Sequence, residues 1–318
     1  MAKIGYFLSS EEHGAKALVD QAVSAERAGF EALWISDHYH PWNDEQGQSA
    51  FVWSVLGAIA QATERIPVYT AVTCPTVRIH PAVVAQAAAT AAVLLDGRFG
   101  LGVGTGEALN EHIFGDAWPE TDVRLEMLEE AIELMRRLWE GASTSHRGKH
   151  YTVENARIYT LPEAPPPILV SGFGPKSIEL AGRIGDGYMS TMPDAEMVQQ
   201  FRAAGGGDKP THAGLKVCWG EEEASALKTA YRLWPNSGLP GELSQVLPTP
   251  RHFEQASSLV TEEMIGESVV CGPDLERHVE AVQQYVDAGY DEVYVGQIGP
   301  DQDGFFAFYE REVLPRLR

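Results

Sequence analysis

The run WISDHYHPWNDEQG (34–47) carries an apolar stretch into an acid, two imidazoles, a phenol and an indole. An ordinary loop is built from Gly, Asn, Ser and Pro. Imidazole is the side chain that ordinarily titrates near ambient pH, so a His at this place, His38, suits proton transfer. Asp37 precedes it and Trp42 follows four residues later. A second polar run, GLGVGTGEALNEHIFG (100–115), ends four alternating glycines in Thr105, Gly106 and Glu107. Its glycines miss the G-x-G-x-x-G spacing that opens a dinucleotide-binding helix. Alternating Gly inside a strand instead permits close approach of another backbone or a flat ligand. A third run, SGFGPKS (171–177), reads as a strand–turn–helix junction. Its backbone amides and helix start suit an anion, and Lys176 adds a cation. No HExxH, Walker A, GxSxG or metal-ligand spacing of His, Cys, Asp and Glu occurs, so a metal-free reaction that depends on a cofactor is expected.

The elements that must carry these residues follow from apolar periodicity. Strands are predicted at 3–8, 31–36, 66–74, 99–106, 166–172, 186–191, 215–220 and 291–297, each with a helical pattern after it. Eight such repeats make a (β/α)8 TIM barrel within one 318-residue unit. Insertions are expected after strands 4 and 7: a strand-rich piece at 142–162, and a Pro-, Gly- and Ser-rich lid or set of extra helices at 235–268. In this fold catalytic groups sit where strands stop. Asp37 and His38, Cys74, Thr105 to Glu107, Ser171 to Gly174, Thr191, Trp219 and Gln297 all fall there. Each alone fits a cap, a turn or a packed side chain. It is their common rim that points to function.

The net charge of −21 argues against nucleic acid or an anionic membrane as partner. Three cysteines without CxxC spacing suit a reducing compartment. With no signal peptide and no apolar run of spanning length, a cytoplasmic protein is expected.

SDHYHPW, TCPTVRIHPAVVAQ and GVGTGEALNE resemble the luciferase-like superfamily, and within it the dehydrogenases that use the deazaflavin coenzyme F420, those for glucose 6-phosphate and for secondary alcohols. The resemblance runs over nearly the whole chain. It implies a barrel, a homodimer and F420 at the carboxyl rim. It implies catalytic roles for His38 and Glu107, with Trp42 beside the substrate. Asp37, Cys74, Thr105 and Gly106 would contact the cofactor, and Ala71–Val72 would be a non-prolyl cis peptide behind the ring. Asn110 and the Ser171, Gly172, Phe173 and Gly174 turn would hold its phosphate tail. Thr191, Trp219 and Trp234 would line the substrate site. The sugar-phosphate enzymes carry cations that are missing here: Met192, Pro193 and Asp194 follow Thr191, Gln245 stands for one Lys, and Glu267 for an Arg. A dianion loses charge-assisted bonds by such changes. A small neutral alcohol is therefore the expected substrate, with a sugar phosphate or an FMN-dependent oxygenation as alternatives.

Overall fold

The computed structural model describes residues 2–317. Eight strands close into a parallel barrel: β1 (Lys3–Leu8), β2 (Leu33–Ile35), β3 (Val68–Thr70), β4 (Phe99–Val103), β7 (Ile168–Ser171), β8 (Gly187–Ser190), β9 (Thr211–Cys218) and β11 (Glu292–Gln297). Between β4 and β7 lies an antiparallel hairpin, β5 (Thr144–Arg147) and β6 (Thr152–Ala156), the expected strand-rich insertion. After β9 the chain forms the short helices Leu243–Val246, Pro250–Ser257 and Glu262–Ser268, then the two-residue strand β10 (Val270–Cys271).

Most strands stop earlier than the apolar pattern suggested, so the polar runs hang from the rim as loops. The seventh barrel strand is the opposite case. It begins at Thr211, not 215, because His212 and Gly214 face the barrel interior: a Cβ on Gly214 would meet the Trp34 ring at 2.5 Å. β9 also opens the mouth. Its start pairs with β8 through Ser190 and Ala213, but its end pairs with β10 through Cys271 and Cys218. β8 and β9 therefore part toward the rim, and the inserted helices occupy that side.

Below the mouth the interior is closed by rings. Trp34 stacks on Tyr294 at 4.4 Å, and His212 meets Tyr69 edge-on at 4.9 Å. Burial pushes the His212 pKa down to about 4, so it packs as a neutral ring. Glu292 accepts from Tyr294 Oη at 2.5 Å and Lys3 Nζ at 2.8 Å. These buried groups fill the interior below the carboxyl ends of the strands. Around the barrel, helix Ala15–Ala28 ends at Gly29 in the left-handed region, and helix Pro81–Leu94 starts on Pro81 with His80 accepting from the Ala82 amide. No helix among the described residues is long and apolar enough to cross a membrane.

Candidate active site

β1 and β2 end side by side, and their loops build the centre of the site. Leu8 pairs with Ile35. Ser36, just past β2, sends its hydroxyl to Glu11 Oε2 at 2.7 Å, and Ser9 does the same at 2.9 Å. That leaves Oε1 of the buried Glu11 for His38 Nε2, 3.4 Å away. Burial alone would raise the Glu11 pKa. His38, Lys216 and Ser36 outweigh it and hold the carboxyl below its usual range, so Glu11 is an anion at neutral pH. The other ring nitrogen of His38, Nδ1, lies 3.1 Å from the His40 carbonyl. A carbonyl only accepts, so Nδ1 carries the hydrogen. In the neutral ring Nε2 then holds the lone pair, and a proton arriving there is stabilised by the carboxylate. Trp42 lies 5.0 Å from the His38 ring and meets Phe253 of the inserted helices edge-on, also at 5.0 Å. Asn43 and Gln46 both donate to the Leu233 carbonyl, tying this loop to the insertion.

Asp37 is buried in a network of its own. It accepts from Arg78 at 2.9 Å and Thr73 at 2.8 Å. Arg78 also gives its backbone N–H to Glu111 at 2.6 Å and its Nε to the same carboxylate at 3.4 Å. Burial still prevails at Glu111, whose pKa is pushed up to about 7. Cys74 lies above it, its thiol raised by burial and 2.9 Å from the Thr76 hydroxyl. Gly106 covers that thiol with φ +80°; a Cβ there would stand 2.6 Å from Cys74 Sγ. The missing Cβ makes room for Cys74 and Glu111, and Gly104 likewise makes room for Val72, whose peptide with Ala71 is cis, as the resemblance implied. Lower in β4, Gly102 makes room for Thr70 O and Met189 rather than for a ligand.

Glu107 precedes the helix Ala108–Glu111. Asn110, on that helix, accepts from the Tyr39 and His40 amides at 2.9 and 3.1 Å and donates to Glu107 Oε2 at 3.3 Å. One buried amide thus fixes both the loop after His38 and the carboxylate of Glu107.

The turn after β7 leaves Phe173 and Gly174 exposed, with open space where a Gly174 Cβ would stand. Gly174 N–H is already given to Ser177 Oγ at 3.1 Å, and Lys176 is paired with Asp122 at 2.7 Å in solvent. Lys176 is therefore no free cation for an anion cradle. Thr191 is exposed beyond β8, its carbonyl accepting from Tyr285. Trp219 is turned onto the last helices, stacked on Phe308 at 5.9 Å, so it does not wall a chamber with His38. Trp234 does stand near the centre: its Nε1 donates to Glu12 and its face carries the Lys216 ammonium at 3.8 Å.

Glu11, Arg78, Glu111 and Lys216 were not singled out from sequence. Glu11 sits in an acidic run, SSEEH, that reads as a solvated turn. Only the pairing of β1 with β2 brings it under His38.

The chain matches the luciferase-like monooxygenase family over residues 2–292. It belongs to that family. A protein from Microbacterium testaceum (strain StLB037) named F420-dependent glucose-6-phosphate dehydrogenase is 36% identical, over 99% of this chain and 97% of its own. One of the same name from Amycolatopsis mediterranei (strain U-32) is 33% identical, over 100% and 99%. Among solved structures, an F420-dependent secondary alcohol dehydrogenase in complex with an F420-acetone adduct superposes with a TM-score of 0.92 at 32% identity, covering 100% of this chain and 99% of that one. A coenzyme F420-dependent tetrahydromethanopterin reductase from Methanopyrus kandleri shares the fold, with a TM-score of 0.80 at 21% identity.

Proposed function

We propose that this protein is an F420-dependent oxidoreductase that oxidises the CH–OH group of a small neutral alcohol to a ketone or aldehyde, and reverses the reaction. One observation carries the reading: His38 has Nδ1 fixed by a carbonyl and Nε2 backed by the ionised Glu11 beside Trp42. The end of β4 fits the edge of a flat ring system, since Gly104 and Gly106 carry no side chain there and the cis Ala71–Val72 peptide lies beside it. Asp37, Cys74, Thr105 and Gly106 would flank that ring, and the backbone of Ser171 to Gly174 would hold the chain that follows it. When bound, the deazaflavin supplies a carbon that takes two electrons as hydride.

The chain's own groups then have these tasks. His38 Nε2 accepts the proton of the substrate hydroxyl, and Glu11 Oε1 stabilises the resulting imidazolium. Trp42 and the inserted helices keep water from the reacting carbon. Glu107, oriented by Asn110, would be the acid–base group on the side of the ring where negative charge arrives with hydride.

A sugar-6-phosphate reading is favoured by the names of the relatives at 33–36% identity. The side chains argue otherwise. Met192, Pro193 and Asp194 offer no cation, Glu267 is exposed and anionic, and Gln245 accepts from Arg124 at 3.2 Å. A screen with F420 of secondary alcohols against glucose 6-phosphate separates the two. Higher kcat/KM with a neutral alcohol is expected; faster turnover of the sugar phosphate refutes the choice of substrate.

We further infer a cytoplasmic homodimer. The neighbouring helices Val52–Ala62 and Pro81–Leu94 are apolar nearly all round, and Val83, Val93 and Leu94 are exposed on the second. Three free cysteines fit a reducing compartment. Sedimentation at a mass of one chain refutes the dimer.

A further inference from the structure

Lys216 enters the mouth from β9, the strand that parts from β8 there. Its ammonium lies over the Trp234 ring at 3.8 Å and the Phe7 ring at 4.3 Å. Glu11, which backs His38, and Glu12 both act on its charge. Yet among the described residues no acceptor hydrogen-bonds the ammonium. Glu11 gives its oxygens to Ser9, Ser36 and His38; Glu12 accepts from the Gly299 amide and the Trp234 indole.

Charge and hydrogen bonding thus differ at this group. The ionised Glu11 balances its charge, so no anion is called for. Its three N–H donors, lying over two aromatic faces, have no oxygen partner from the described residues, so water or a ligand must meet them. Lys216 is only partly buried, so its ammonium can still be reached from the mouth. Glu11 feels the charge of both Lys216 and His38, so the two groups stand close to one carboxylate.

We propose that Lys216 recognises a second, uncharged oxygen of the substrate, so that the preferred compounds are diols, hydroxyketones or other polyhydroxylated alcohols rather than monoalcohols. This rests on the reading of His38 as the group facing the reacting hydroxyl. Its test uses alcohols that cannot be oxidised, so binding is read without turnover. The F420-loaded protein is titrated calorimetrically with 2-methylpropan-2-ol, with 2,3-dimethylbutane-2,3-diol and with 2,4-dimethylpentane-2,4-diol. One diol is expected to bind about tenfold or more tightly than the monoalcohol, by the difference a charged hydrogen bond makes. Lys216→Met should bring the two within about twofold, and Lys216→Arg, which keeps a donor, should retain part of the preference. Equal binding of diol and monoalcohol by the wild type overturns the proposal, as does a preference that survives in Lys216→Met. If Lys216→Met does not fold, Lys216→Leu, which also offers no donor, decides with the same criterion. Lys216-dependent diol binding together with no F420 reduction by any alcohol would spare this inference and remove the hydride-transfer reading.

Discussion

Replacing Glu11 by Gln takes away a single charge and almost no volume. The carboxylate lies 3.4 Å from His38 Nε2, and both side chains are nearly sealed from solvent. At that distance, with an effective dielectric constant of about 20, an imidazolium and a carboxylate attract by about 5 kcal/mol. Two effects reduce the loss. The anion no longer has to be kept out of water, and the Gln carbonyl can still point its dipole at Nε2. About 1.5–3 kcal/mol remains, which corresponds to a roughly ten- to hundredfold fall in kcat/KM for alcohol oxidation. The sign of the pH effect is fixed as well. Without the carboxylate the protonated ring is less favoured, so the acid limb of the pH–rate profile moves to lower pH while its plateau drops. Ser9 and Ser36 can still donate to the amide oxygen, so the fold should hold. The assay is loss of F420 absorbance at saturating cofactor over a pH series. A variant within threefold of wild type, with its acid limb unmoved, refutes the role given to Glu11.

Two further outcomes follow from the network beside the site. Arg78→Met leaves the buried Asp37 and Glu111 carboxylates without their cation, so urea denaturation should report a loss of about 3–5 kcal/mol; a loss under 1 kcal/mol contradicts the pairing. Glu111 has a folded pKa of about 7 against an ordinary 4.5, so between these values the folded chain keeps a proton that the unfolded chain has released. Stability therefore falls as pH rises through that window, by at most about 3 kcal/mol. Glu111→Gln should remove this component, and urea midpoints at pH 5 and pH 8 that differ as much in the variant as in wild type argue against it.

The barrel was legible because its signal is local. Apolar runs of strand length alternate with helical patterns, and all eight predicted runs overlap barrel strands. The misjudged edges have physical causes. THAG at the start of β9 looks polar and small, but His212 and Gly214 fit between interior rings, where a neutral imidazole and a missing Cβ are what the space allows. β10 went unseen because two residues carry no periodicity; its pairing exists only since β9 outlasts β8. His38, Trp42 and Glu107 stood out as unusual loop residues at strand ends. Glu11 and Lys216 did not, since their chemistry comes from neighbours far along the chain: Ser36 and His38 for the first, Phe7 and Trp234 for the second. Asn110 and Trp219 also have structural contacts that the sequence does not show. Their types suit a ligand, but the fold uses Asn110 to tie the His38 loop to Glu107 and packs Trp219 on Phe308.

The most direct measurement is F420 reduction by propan-2-ol and by its 2-deuterated form under single-turnover conditions, with wild type and His38→Ala. Hydride transfer assisted by a base predicts a clear primary isotope effect in the wild type and a rate about a hundredfold or more lower in the variant. Loss of F420 absorbance at the same rate in both proteins, or none with any alcohol tried, contradicts the account.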